Sequence, residues 1–148
     1  MTTQSDQTAS EAEVRRLVSS WTEAVQARDI ERVMSHYAPE VLVFEVMPPL
    51  QYAGAERYRQ IWEEWFASPD APLGYEVRDL TLTVSGDVAF GHSLNCVRQQ
   101  GASGQPAETW LRTTTGYQKR HGRWLITHEH WSMPVDPHTG LAMWDLTP

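Results

Sequence analysis

The sequence predicts an α+β domain: three amphipathic helices, then a long antiparallel sheet bent around them, with a hollow between the two. Three observations carry this. Apolar residues recur at helical spacing up to Phe66. After Gly74 the pattern changes to period two and stays there for four long segments. Residues 127–132, T-H-E-H-W-S, then aim His128, His130 and Ser132 to one side of a strand. Such a polar stripe is either the wall of a pocket or a wet outer edge.

Each element follows from local signals. Residues 1–9 carry nothing that packs and are expected to form a disordered tail, with a single domain over 10–135. Ser10 and Glu13 form an S-x-x-E capping box that starts a first helix. Its apolar face is Val14, Leu17, Val18, Trp21 and Val25, ending near Ala27. Asp29 caps a short second helix bearing Ile30, Val33 and Met34, which stops before Pro39. V-L-V-F-E-V at 41–46 is β-branched and reads as a strand, halted by Pro48-Pro49. A third helix from Ala55 to Phe66 buries Tyr58, Ile61, Trp62 and Trp65. Strands are expected at 75–84, 87–99, 107–119 and 123–133, with tight turns at Ser85-Gly86-Asp87 and His121-Gly122. Residues 136–148 form an apolar tail that needs a surface, either on the domain or on a dimer partner.

Composition narrows the function. The formal net charge of −7, with no lysine or arginine run, argues against nucleic acid or a membrane surface as partner. No stretch approaches the roughly 18 apolar residues of a membrane span. The polar opening M-T-T-Q-S-D-Q-T-A-S has no apolar core of a leader, and the lone Cys96 fits a reducing compartment. A cytoplasmic location is therefore expected. Seven tryptophans suit a generous core or an aromatic-lined cavity.

The order of elements, the segment H-Y-A-P-E-V-L-V-F-E, the Gly54-Ala55 helix start and the terminal G-R-W-L-I-T-H-E-H-W-S-M-P together resemble a family. It is the nuclear transport factor two-like superfamily, in its SnoaL-like, ketosteroid-isomerase-like branch. The resemblance covers roughly residues 10–135 and implies a cone-shaped α+β fold with a deep pocket, usually dimeric. Ketosteroid isomerase has a tyrosine followed eight residues later by a catalytic aspartate, and the matching pair here is Tyr37 and Glu45. Its oxyanion-hole tyrosine is matched by Trp21, whose indole N–H donates a hydrogen bond but is not acidic. The closing motif G-x-W-x-x-x-H-x-H-x-S-x-x-P is also similar to the association domain of calcium/calmodulin-dependent protein kinase II, an assembly hub.

The candidate site follows from these residues. Glu45, between Phe44 and Val46, either faces water by alternation or lines the pocket, where desolvation would make it a general base near neutrality. For His128 and His130 three readings stand side by side: a chemical role, a structural pocket wall, or metal ligation with His92 as a third ligand. Arg112, counted back from the His121-Gly122 turn, falls beside Glu129 and Trp131 as a salt-bridge partner. A bulge would turn it into a carboxylate anchor. Trp21, Tyr37, Tyr58, Trp62, His92 and Arg112 are the candidate substrate-binding residues, and Glu45, His128 and His130 the catalytic ones. The expected activity is a cofactor-free, metal-free isomerisation, cyclisation or dehydration of an apolar carbonyl compound by a homodimer. The dimer is expected to pack through the convex sheet surface, where Trp131 and Met133 alternate away from the histidines and need cover. The alternative is a non-catalytic ligand-binding or oligomerisation module of the same fold.

Overall fold

A computed structural model describes residues 3–148. The first helix, α1 (Gln4–Gln26), begins earlier than the Ser10 box suggests. Thr3 and Asp6 already form a reciprocal capping box, with Asp6 N–H donating to Thr3 Oγ1 at 3.1 Å and Thr3 N–H to Asp6 Oδ2 at 3.0 Å. The helix therefore runs through Ser10, and residues 4–9, expected in a disordered tail, are helical. Asp29 caps α2 (Ile30–Met34) as expected, accepting from the Arg32 N–H.

Next come β1 (Tyr37–Phe44), the two-residue β2 (Tyr52–Ala53), α3 (Ala55–Ala67), β3 (Gly74–Ser85), β4 (Val88–Gln100), β5 (Pro106–Arg120) and β6 (Arg123–Ser132). They make one six-stranded sheet in the order β2-β1-β6-β5-β4-β3. The four long strands form an antiparallel meander, but β1 runs parallel to β6, so the sheet is mixed. That parallel pairing is possible because α3 and the whole meander intervene between β1 and β6, leaving ample chain for the crossover. At the β5–β6 hairpin His121 and Gly122 both have positive φ, 52° and 76°, which matches the right-handed twist of the flanking strands.

One face of the sheet receives the helices. Val14, Leu17, Trp21 and Val25 of α1 meet Tyr75, Val97, Tyr117 and Ile126 of the strands, while Tyr58 and Trp62 of α3 close the other end. Trp21 stands edge-on to Trp62 and to Tyr75, with ring centroids 5.8 and 5.3 Å apart. Truncating so large a buried ring to alanine costs about 3–5 kcal/mol.

A single irregularity in β6 decides which side chains enter this core. From the turn, Lys119 pairs with Trp124 and Tyr117 with Ile126, but Gly116 then pairs with His128, so Thr127 is an extra residue. Its hydroxyl donates to the Gly116 carbonyl at 3.3 Å. Trp124 and Ile126 face the helices. Past the bulge the parity inverts, so Glu129 and Trp131 face them too, and His128, His130 and Ser132 face outward.

Candidate functional site

The inner face carries a cavity of about 260 Å³, bounded by the segment just after β1, by α3, by the middle strands and by the tail. Its wall is rich in aromatic rings, Tyr52, Tyr58, Trp62, Trp65, Tyr75, Trp131 and Trp144, set among aliphatic side chains such as Ile61, Val97 and Leu111. Glu45 is the one carboxylate among its lining residues. Alternation explains the placement, because Val43 is wholly buried and Glu45 follows it on the same side. Val46 N–H donates to Glu45 Oε2 at 3.1 Å, and Tyr58 O–H lies 3.2 Å from Oε1. Burial lifts the Glu45 carboxyl above the usual range, and these two hydrogen bonds pull it partly back.

Behind this wall lies a second carboxylate. Glu129 is 2 % exposed. Tyr37 O–H donates to its Oε1 at 2.8 Å, and Trp131 Nε1–H to its Oε2 at 3.0 Å. Tyr58 O–H lies 3.3 Å from the same Oε2. Trp21 Nε1–H in turn donates to the Tyr37 oxygen at 3.0 Å. Burial, opposed by the Trp131 and Tyr37 hydrogen bonds and reinforced by the nearby Glu45 charge, raises the Glu129 carboxyl to about 7. Tyr37, Tyr58 and Tyr75 are all pushed well above the ordinary phenol value, first by burial, and so remain hydrogen-bond donors at neutral pH. A smaller void of about 30 Å³, room for a water or two, lies beside Trp21, Asn95, Thr113 and Glu129.

Glu45, Tyr58 and Trp62 thus meet at one cavity, with Trp21 and Tyr37 supporting it through Glu129. The expected pairing of Glu45 with His128 and His130 in that cavity is corrected, because the Thr127 bulge turns both rings to the opposite face. There His128 Nδ1 contacts the Leu42 carbonyl at 2.6 Å, and both histidine rings lie edge-on to Phe44. His92 and Arg112 are exposed on the same outer face. Arg112, expected beside Glu129 as a salt-bridge partner or, after a bulge, in the pocket, is in neither place: its Nε–H donates to Ser132 Oγ at 3.1 Å on the outer face, because β5 is regular here and only β6 shifts. Trp131 and Met133, expected to cover a dimer surface, are buried within the chain. Among the described residues, no three His, Cys, Asp or Glu side chains converge as a metal centre would require.

Sequence reasoning missed Glu129 as a site residue. Its only signal was its place between two histidines, which regular alternation puts on the wrong face. Tyr52 and Tyr75 were also missed. They sit at strand ends, where nothing in the spacing separates a cavity wall from ordinary core.

Residues 14–136 match the SnoaL-like domain. No curated protein matches the chain. Among solved structures, an NTF2-like protein of unknown function from Pseudomonas putida KT2440 is 34% identical, with a TM-score of 0.86 over 95% of this chain and 98% of that one. An NTF2-like family protein from Streptomyces avermitilis, provisionally assigned as a dehydratase, is 15% identical, with a TM-score of 0.77 over 88% and 99% of the two chains. The association domain of C. elegans CaMKII is 15% identical, with a TM-score of 0.69 over 86% and 98%. The last two likenesses are likenesses of fold.

Proposed function

Because the chain belongs to the SnoaL-like family, whose fold supplies a small-molecule pocket, we propose that it binds an apolar carbonyl compound and that Glu45 removes a proton alpha to the carbonyl. The observation that supports this is a carboxylate of raised proton affinity on the wall of a cavity otherwise lined chiefly by aromatic and aliphatic side chains. The aromatic wall suits a flat apolar body. The half-buried carboxylate suits proton abstraction near neutral pH, since a base works best when its own affinity is matched to the medium.

The developing oxyanion needs a donor, and the outward-facing histidines do not provide one. Tyr75 takes their place in this reading. It lines the cavity, its oxygen accepts from Asn95 Nδ2 at 2.8 Å, and its own hydrogen has no acceptor among the described residues. A phenol so held is oriented by the asparagine and free to donate to a ligand oxygen. The reaction class is isomerisation, cyclisation or dehydration, in which the proton returns to the product or leaves with a hydroxyl as water, and no cofactor enters this scheme.

Glu45→Gln tests the assignment, because the amide is nearly isosteric and cannot accept the proton. Turnover of a carbonyl substrate should fall by about 10²–10⁴-fold, while ligand binding, read by quenching of the cavity tryptophans, should persist. Unchanged turnover would remove Glu45 as the base. Binding without turnover in either form, across a broad carbonyl panel, would favour a non-catalytic ligand-binding module. We also propose a homodimer formed through the outer face of the sheet, where Phe90 is 51 % exposed beside Leu94 and Phe44 is half-buried.

A further inference from the structure

Tyr58 stands between two carboxylates and has one hydrogen to give. Its oxygen lies 3.2 Å from Glu45 Oε1 and 3.3 Å from Glu129 Oε2. A phenol donates once, so it serves one of these contacts. The other is attractive only if that carboxyl carries a proton and donates it to the phenol oxygen. With both carboxyls ionised, one contact would set a negative oxygen against a phenol lone pair, deep in the protein. Nothing offsets such a double charge: neither Glu45 nor Glu129 takes part in any ion pair among the described residues.

We propose that Glu45 and Glu129 hold a single proton between them through the Tyr58 hydroxyl, and that Glu129 is the positioning residue that makes Glu45 ready to accept a proton from a ligand. The second half rests on the reading of Glu45 as the base; the first half does not. The proton resides on Glu129, which is the more deeply buried of the two and lines no part of the large cavity. Protonated Glu129 donates to the Tyr58 oxygen and still accepts from Tyr37 and Trp131, so each of its polar atoms is satisfied. Tyr58 then directs its hydrogen to Glu45, which keeps its charge at the cavity wall. If Glu129 loses its proton, the Tyr58 hydrogen swings to Glu129. Glu45 is left with the Val46 N–H alone and with a second negative charge nearby, and it takes up a proton itself.

The groups around the pair do not interfere with this exchange. The titratable side chains facing it are Tyr37 from β1, Tyr52 from β2, Tyr58 from α3, Tyr75 from β3 and Tyr117 from β5, and α1 presents only Trp21. Burial raises all five phenols above their ordinary value, so none ionises in the range where the carboxyls exchange their proton. No lysine, arginine or histidine approaches from any of these elements closely enough to pair with either carboxyl.

The experiment is a carbon-13 NMR titration of the glutamate side-chain carboxyl carbons in the free, full-length protein, with no substrate present. In the wild type the Glu45 and Glu129 signals should each move in two common steps, one proton persisting to about neutral pH. In Glu129→Gln the Glu45 signal should show one step, with a proton affinity about tenfold lower or less still. Tyr58→Phe retains Glu129 with Tyr37 and Trp131 and removes only the bridge, so it serves if the first variant fails to fold. There each carboxyl should move chiefly at its own step. Independent single steps complete by about pH 5 in the wild type would overturn the proposal. So would a Glu45 curve unchanged in the variants. Since nothing is turned over in this measurement, proton sharing can stand while the base assignment fails, and the reverse. If both hold, the acidic limb of the kcat/KM profile in Glu129→Gln should shift to lower pH by the amount the NMR reads.

Discussion

Glu129 meets only uncharged donors, Tyr37, Tyr58 and Trp131, and burial above all raises its carboxyl from 4.5 to about 7. The folded chain therefore holds this proton more tightly than the unfolded chain. The resulting stabilisation is fully present below about pH 4.5 and is lost as the pH climbs toward about 7. For a fully buried group the difference is on the order of 3 kcal/mol. Glu45 is shifted in the same direction. His36 works against them: burial, then the charges of Arg123 and Arg32, lowers its affinity, so its contribution is fully present above about pH 6.5 and is lost as the pH falls further. Comparing wild type with Glu129→Gln cancels the histidine. Urea melts at about pH 5 and about pH 8 should show the wild type losing about 1–3 kcal/mol more than the variant across that interval. Equal pH dependence in the two proteins would mean that Glu129 is ionised throughout.

At the level of elements, the helices and the hairpins were legible because their signals are local. Asp29 caps α2, Pro48-Pro49 follows β1, and His121-Gly122 turns the last hairpin, each as spacing and residue type require. What could not be read was parity. Regular alternation from Trp124 and Ile126 sends His128 and His130 inward, and a single extra residue at Thr127 sends Glu129 and Trp131 there instead. A threonine in a strand looks ordinary, and Gly116, where the pairing shifts, lies on the partner strand. The start of α1 was missed for a different reason. Ser10 and Glu13 match a capping box, but Thr3 and Asp6 form a real one first, and a helix once nucleated runs through a serine at little cost. Thr3→Ala should remove that cap. Amide hydrogen exchange should then show residues 5–8 losing protection by about 0.5–2 kcal/mol, with the midpoint of global unfolding nearly unchanged because this turn is largely exposed. A large drop in global stability would show that the first turn is packed against something in solution.

For the whole molecule, the order of helices and strands was enough to anticipate a hollow, since a sheet folded over helices leaves space where large rings fail to fill it. It was not enough to say which surface joins two copies. The face expected to do so was argued from Trp131 and Met133, which are both buried within the chain. The outer face nonetheless has the character of a contact surface. Phe90 and Val88 are 51 % and 52 % exposed, Leu94 and Phe44 are half-buried, and Arg112, His92 and His130 lie among them. Apolar area of this kind is stabilised by cover, and the local arginine reduces the repulsion that a net charge of −7 would otherwise set between two copies. Light scattering at tens of micromolar should therefore report twice the chain mass. Phe90→Glu places a charge where water already reaches, so the monomer should fold with a change of about 0.5 kcal/mol or less. The dimer, however, would have to bury that charge, and the scattering mass should fall to that of one chain. Because the cavity opens on the opposite side of the sheet, quenching of its tryptophans by a bound ligand should be the same in the variant. A wild type that scatters as a single chain would end the dimer proposal, and a dimer that survives Phe90→Glu would move the interface to another surface.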